Sequence, residues 1–177
     1  MNVHDEDADR DLRRMRQAFR EEVEEAEAVA AEFLASQRAL VDVVVDAGME
    51  GTEVTVELPQ LQLVGAVTHV GESVFTLLSP SGVTTLIVID QIVGLRVGSR
   101  RSNSGRVERS YPQSLVAALR GAVAERSRLA VERTSGPTLI GDIDAVSVTH
   151  AQLRDKAGAV WHVPLRAITA VRDSSTT

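Results

Sequence analysis

The sequence predicts a mainly β protein with an N-terminal α-helix and two repeated units, each a short helix followed by five strands. The apolar residues recur every three or four positions up to about residue 49 and every second position from residue 53 onward. The stretch LVGAVTHVGESVFTLLSPSG at 63–82 returns in outline as LIGDIDAVSVTHAQLRDKAG at 139–158. A polar stretch rich in Gly, Ser and Arg, 98–112, separates the two units.

The first element is a long helix over residues 8–38, in an acidic arm taken as residues 1–35. Its apolar stripe includes Phe19 and Val23, our interface candidates in this segment, while Ala26 and Ala30 keep the stripe narrow. The stripe lasts under three heptads. Two interpretations therefore stay open: a helix laid on the body or extended in solution, and a coiled-coil seam for self-association.

Charge is concentrated in this arm. Residues 1–32 hold 11 acids and five arginines, which gives −6, whereas the remaining residues hold 14 acids and 14 bases. The body is thus neutral, and binding of phosphates by its whole surface is disfavoured.

The first repeated unit spans residues 36–97. Residues 36–49 predict a helix that ends at Gly48 or Gly51, because glycine commonly terminates helices. Alternation of apolar and polar residues, with short turns between the runs, then predicts five strands at 53–58, 61–70, 73–78, 83–90 and 92–97.

The second unit spans residues 113–172 and follows the linker 98–112. A short helix begins at Pro112 or Ser114. Five strands are then predicted at 128–132, 138–146, 149–154, 159–166 and 168–172, and residues 173–177 form a tail.

Over 35 positions the repeat aligns residues of the first unit with those 76 positions later. One extra residue in the 133–138 turn sets the residues before it 75 positions apart, so that Val56-Glu57 fall on Val131-Glu132. The identical pairs include Gly65 with Gly141 and Gly82 with Gly158. Repetition on this scale indicates duplication of a supersecondary unit.

Residues 36–97 and 113–172 each resemble the Sm-like fold, a small SH3-type barrel. The matching features are a VTVEL first strand, a second strand with a glycine in its middle, a third strand ending in a polar glycine turn, and a final pair such as LIVID-QIVGL. A barrel this small must bend its second strand sharply, which suits the glycine. The layout also resembles actinobacterial proteins of unassigned function with an N-terminal helix and two such barrels. The resemblance implies two tandem five-stranded Sm-like barrels.

The resemblance transfers little of the family's RNA site. Sm-like proteins that bind uridine-rich RNA use an Asp and an Asn near the turn between strands two and three, and an Arg-Gly pair between strands four and five. The corresponding turns here contain no Asn, and Arg166 alone matches the arginine. Trp161 shares the inward phase of Val163 and is expected in the core, so no aromatic residue is expected to stack on a base.

Outward positions differ between the two units. The first unit has four apolar residues on the outward phase, and their counterparts in the second unit are His150, Arg154, His162 and Pro164. An apolar outer face needs a cover, and the candidates are the N-terminal helix, the second unit or another chain. This face supplies the remaining interface candidates: Val74, Leu78, Leu86 and Val88.

Pro164 restricts assembly, because a proline has no N–H to donate at a sheet edge. A closed ring through the second unit's fourth strand is therefore disfavoured. The first unit's fourth strand is expected to be free to pair. We expect the two units to join each other, or a two-fold dimer through first units.

The sequence gives few signs of chemistry. Without cysteine there are no disulfides or thiolate ligands, and no phosphate loop or dinucleotide motif is present. His150 and His162 on adjacent strands, or Asp142 and Asp144 on one side of a strand, lack the further groups that a metal or catalytic site needs. We therefore expect no catalytic residue, cofactor or metal.

One basic cluster stands out around the linker. Three interpretations stay open: a solvated linker, a partner for the acidic N-terminal arm of the same or a neighbouring chain, or a contact for nucleic acid. The candidate nucleic-acid contacts are Arg96, Arg100, Arg101, Arg106 and Arg109, together with Arg166.

These observations predict a non-enzymatic interaction protein that self-associates or docks a protein through the apolar outer face of the first unit. A dimer is favoured over a closed ring. The alternative is an RNA or DNA binding protein that uses the arginine-rich linker, and an enzyme with a site between the units is a weaker third. The acidic N-terminus lacks the apolar segment of a signal peptide. We expect a cytoplasmic protein without a membrane span.

Overall fold

The computed structural model describes Gln17, Arg20 and residues 39–101 and 114–174, with only the backbone given for 99–101. The chain divides into two compact parts, Met1–Ala39 and Leu40–Thr177. In the first part Gln17 and Arg20 are helical and exposed. The rest of the predicted 8–38 helix, including Phe19 and Val23, lies outside the described residues.

The first half of the larger part, residues 40–101, consists of one helix and five strands. Helix α1 ends where Gly51 takes a positive φ of 64° and donates its N–H to the carbonyl of Gly48. A 3-10 turn, Ile89–Gln91, separates the last two strands. The elements are α1 (Leu40–Glu50), β1 (Thr52–Leu58), β2 (Leu61–Val70), β3 (Val74–Leu78), β4 (Thr84–Val88) and β5 (Gly94–Arg101).

The second half, residues 114–174, repeats this order of elements. Ser114 caps its helix, because the Ser114 hydroxyl accepts a hydrogen bond from the N–H of Ala117 at 3.3 Å. A 3-10 turn, Leu165–Ala167, again separates the last two strands. The elements are α2 (Leu115–Glu125), β6 (Arg128–Arg133), β7 (Leu139–Val146), β8 (His150–Arg154), β9 (Val160–Pro164) and β10 (Ile168–Asp173).

All ten strands form one antiparallel sheet in the order β5-β1-β2-β3-β4-β10-β6-β7-β8-β9. The mainly β prediction is confirmed, and each predicted strand is present with its ends shifted by a few residues. Among the described residues the outer strands β5 and β9 do not pair with each other, so the sheet is open. The predicted linker begins later than expected, since β5 continues to Arg101.

The two halves also share their irregularities. The β2–β3 register shifts between Val67 and His69, and the β7–β8 register shifts at the matching residues Ile143 and Ala145. A Cβ atom on Gly65 would lie 2.3 Å from the carbonyl oxygen of Leu78. A Cβ on Gly141 would lie 2.6 Å from that of Arg154. Glycine is therefore required at both positions because the neighbouring strand passes too close for any side chain.

The buried residues form two hydrophobic clusters, one for each half. Phe75, Leu77 and Ile87 lie in the first cluster, beneath α1. Leu119 and Leu153 lie in the second cluster, which α2 covers. Val74 belongs to the first half in sequence but packs in the second cluster, so the two halves share a continuous apolar contact.

Candidate interaction surfaces

The apolar outer face of the first half is covered by the second half of the same chain. Val74 has no exposed surface and contacts the second cluster. Leu86 and Val88 are half-buried against the same cluster, and Leu78 is half-buried. Of the three covers that the sequence left open, the structure shows the second unit. Val74 is thus an internal packing residue and offers no free docking surface.

Strand pairing joins the halves at the same place. Strand β4 pairs with β10 through Ile87 with Ala170, Leu86 with Val171, and Thr85 with Arg172. The first unit's fourth strand therefore does pair, and its partner is β10 of the second unit, so the expectation that the two units join each other is confirmed. This pairing carries the sheet from one half into the other.

The pairing leaves two outer strands, β5 and β9, with one unpaired side each among the described residues. At the two ends of β9, the N–H of Leu165 donates to the carbonyl of Thr149, and the carbonyl of Ala159 accepts from the N–H of Asp155. The backbone polar groups of these two residues therefore point toward β8. Because these groups alternate along a strand, the backbone polar groups of Val160, His162 and Pro164 point to the unpaired side. Pro164 stands at the outermost of these positions without an N–H. The edge of β9 is therefore blunted as expected, whereas β5 has no proline.

The candidate arginines are scattered. Arg96 on β5 is exposed and donates from Nη2 to Thr55 Oγ1 at 3.2 Å. Arg100 and Arg101 continue β5, but only their backbone is described. Arg166 is exposed in the 3-10 turn after β9, on the opposite half from Arg96. Arg106 and Arg109 lie outside the described residues.

The two histidines expected on adjacent strands do lie together. The ring centroids of His150 and His162 are 5.1 Å apart, and both line an open cavity of about 650 Å³ with Arg166 and Val148. The Nδ1 atom of His150 lies 2.9 Å from Ser147 Oγ, which fixes that ring. Within residues 39–101 and 114–174 no three His, Asp or Glu side chains are grouped as a metal site.

Trp161 is not in the core. It is 44% exposed on the outer strand β9, where Val163 keeps the inward position alone. Its Nε1–H donates to Asp155 Oδ2 at 2.9 Å, and the Arg133 guanidinium lies 5.9 Å from its ring centroid. Trp161 pairs with the buried Leu153, but its side chain lies beside Asp155 and Arg133, so the predicted core position is wrong.

Asp155 is held by several donors. The Trp161 N–H, followed by the backbone N–H groups of Ala159 and Ala157, keeps the pKa of the Asp155 carboxyl below its ordinary value. The carboxylate therefore stays ionised and fixes the turn before β9.

The paired carboxylates of β7 are engaged in ion pairs. Asp144 binds Arg154 at 2.6 Å, and Asp142 lies 3.4 Å from Arg128. The two carboxylates face different arginines, so they do not converge on a common cation.

Sequence reasoning missed a group of basic residues that the second half brings together. Arg128, Lys156 and Arg172 line one cavity of about 330 Å³. They are 28 and 16 positions apart in the chain, and only strand pairing joins them. A signal was present, because the repeat sets Arg128 against Glu53 and Lys156 against Pro80.

No protein-family model matches the chain, and no curated protein resembles it closely enough to count as a relative. Among the described residues no helix is long and apolar enough to cross a membrane.

Proposed function

We propose that this protein is a non-enzymatic interaction module in which two Sm-like barrels, produced by duplication, act as one body. The shared element order, the matching bulges and the matching glycines of the two halves support the duplication. The pairing of β4 with β10 makes the second half the internal partner of the first. A partner must then bind to surfaces that this internal contact leaves free.

The surface we assign to a partner is the unpaired side of β5. The observation that carries this assignment is the strand order, in which β5 ends the sheet with one side unpaired among the described residues. An edge strand offers a row of N–H and C=O groups to an added strand. The opposite edge, β9, is blunted by Pro164. Val97, 42% exposed, adds an apolar contact beside this row.

The partner is a protein that presents an extended acidic segment. Strand β5 reads GLRVGSRR and carries three arginines with no acid. Two copies of this strand side by side would place like charges together, which disfavours direct β5–β5 pairing. An acidic strand instead gains both the backbone bonds and the opposite charge. We also propose a cytoplasmic setting, on the absence of cysteine alone.

The test uses two synthetic peptides of alternating Val and Thr with either Glu or Lys, titrated against the protein. The acidic peptide should bind and should slow hydrogen exchange of β5 amides without changing those of β9. Arg96→Gln should weaken binding severalfold. Arg172→Gln, the matched change on the doubly paired strand β10, should not. Binding of the acidic peptide with unchanged β5 exchange would refute the assignment.

The second candidate is RNA or DNA binding through the arginine-rich linker. It is favoured by β5, which carries Arg96, Arg100 and Arg101 along an outer strand of the sheet. A labelled single-stranded oligonucleotide would then bind with a steep salt dependence. Binding should fall when Arg100 and Arg101 are both replaced by Gln.

A further inference from the structure

We propose that the second half contains a binding site for a phosphate group, distinct from the β5 edge and independent of the function proposed above. The site is the basic hollow, defined as the cavity of about 330 Å³ whose cationic walls are Arg128, Lys156 and Arg172.

Strand pairing creates the hollow. Ala130 on β6 has Ile140 of β7 and Arg172 of β10 as its two register partners. A small side chain therefore lies between two large ones in one row, and Ala130 is only 1% exposed. Arg128 stands two residues before Ala130 on the same side of β6, and Lys156 joins from the turn between β8 and β9. The row thus gives a recess with cationic groups around it.

One guanidinium donor beside the hollow is unsatisfied. The Nη2 atom of Arg128 is buried and has no hydrogen-bond partner among the described residues. Its neighbour Nη1 lies 3.4 and 3.5 Å from the two oxygens of Asp142, at the outer limit of a hydrogen bond. A buried guanidinium N–H without a partner is costly. Nη2 is closed off from the hollow in this structure, so an anion that satisfied it would have to draw the Arg128 guanidinium toward the cavity.

The other charges leave the hollow cationic. Arg172 lies 3.5 Å from Glu132, a long contact to a carboxylate that also accepts a 2.7 Å bond from Thr138. Lys156 is exposed and has no ion pair among the described residues. Asp173 is the acidic residue that lines the hollow. The lining itself carries three positive charges against that of Asp173, while Asp142 and Glu132, outside the lining, lie at the long distances of 3.4 Å from Arg128 and 3.5 Å from Arg172.

The chemistry favours phosphate over a carboxylate. Two guanidinium forks and one ammonium offer more donors than two carboxylate oxygens accept, and they match the three outer oxygens of a phosphate. Ile140, 44% exposed at the wall, offers an apolar contact to whatever the phosphate is attached to. The ligand class is thus a phosphate ester, supplied either by a small molecule or by a nucleic-acid backbone.

The first half provides a natural comparison. In its matching row, Thr55 has Val64 and Arg96 as register partners. There the Thr55 hydroxyl accepts a hydrogen bond from Nη2 of Arg96 at 3.2 Å. Glu53 occupies the position of Arg128, and Pro80 that of Lys156. The first half therefore lacks two of the three positive charges and has no counterpart of the unsatisfied Arg128 donor. Arg96→Gln is the matched control for changes in the hollow.

The experiment follows backbone amide NMR signals of the full chain in a phosphate-free buffer during titration with inorganic phosphate. Signals at Arg128, Ile140 and Arg172 should shift and saturate. Arg128→Gln and Lys156→Gln should each weaken binding by about tenfold, whereas Arg96→Gln should leave it unchanged. Lys156 is exposed, so its variant keeps the test valid if Arg128→Gln unfolds the protein.

A nucleoside monophosphate and a labelled 12-nucleotide single strand then identify the source. If the strand binds, depends on Arg128 and is displaced by phosphate, the group belongs to nucleic acid. If only the nucleoside monophosphate and phosphate bind, the ligand is a small ester. Absence of saturation up to about 10 mM phosphate, or equal losses in the Arg96→Gln and Arg128→Gln variants, would overturn the proposal.

Discussion

The two halves have one fold but opposite outer faces. Val74 in the first half is fully buried at the junction, whereas its counterpart His150 lies beside an open cavity. Val88 packs against the second cluster, and its counterpart Pro164 blunts an exposed edge. Two copies of a unit can therefore share a backbone while the outer face of one packs inside the chain and the outer face of the other stays open. The difference lies in the residues that point away from the core of their own half.

The largest effect should come from a charge placed in the junction. Val74→Asp would bury an unpaired carboxylate and should lower the free energy of unfolding by about 4 kcal/mol or more. Chemical denaturation measures it. The matched change His150→Asp lies on the open face and should cost within about 1 kcal/mol. Equal costs at the two positions would contradict the asymmetry.

The next effect should be similar in both halves. Gly65→Ala and Gly141→Ala each force a methyl group against a backbone carbonyl and should each destabilise the protein by about 2 kcal/mol or more. Gly65 should be the worse site, because its contact is closer, 2.3 Å against 2.6 Å. Thermal unfolding of the two variants measures this. A neutral change at either glycine would show that the halves bend differently.

These matched glycines also show what sequence could predict. The period of two, the turns and the repeat predicted all ten strands, because each of these signals is local. The partner of β4 could not be predicted, since covering an apolar face by the same chain or by another leaves the same pattern. The convergence of Arg128, Lys156 and Arg172 depends on that long-range pairing and was missed for the same reason. Trp161 was misplaced because periodicity gives the phase of a side chain along a strand and gives no information on how much of it other elements cover.

A third prediction concerns the blunted edge. Pro164→Val restores the N–H that Val88 has at the matched position of the first half. The edge of β9 should then accept another strand, and the average mass should rise with protein concentration. Sedimentation at several concentrations measures this, with Ala167→Val as a control off the edge. An unchanged mass would mean that the proline is not what protects β9.

The smallest effect should be electrostatic. Because the Trp161 N–H lowers the pKa of Asp155 in the folded state, this contact stabilises the protein above the unfolded pKa of about 3.9. The stabilisation is lost as the pH falls through the lower, folded value. Trp161→Phe should raise the Asp155 pKa toward its ordinary value and move acid destabilisation to higher pH. A titration of the Asp155 carboxyl by NMR checks the direction, and an unchanged pKa would contradict it.

The central claim is that β4 pairs with β10 of the same chain. The chain contains no cysteine, so an introduced pair reports this contact without background. Thr85→Cys with Arg172→Cys places cysteines at register partners, while Trp161→Cys with Arg96→Cys places them at the matched positions of the two outer strands. On oxidation at low concentration, the first pair should close within one chain at monomer mass, and the second pair should not. A first pair that yields only linked dimers, or stays reduced, would contradict the account.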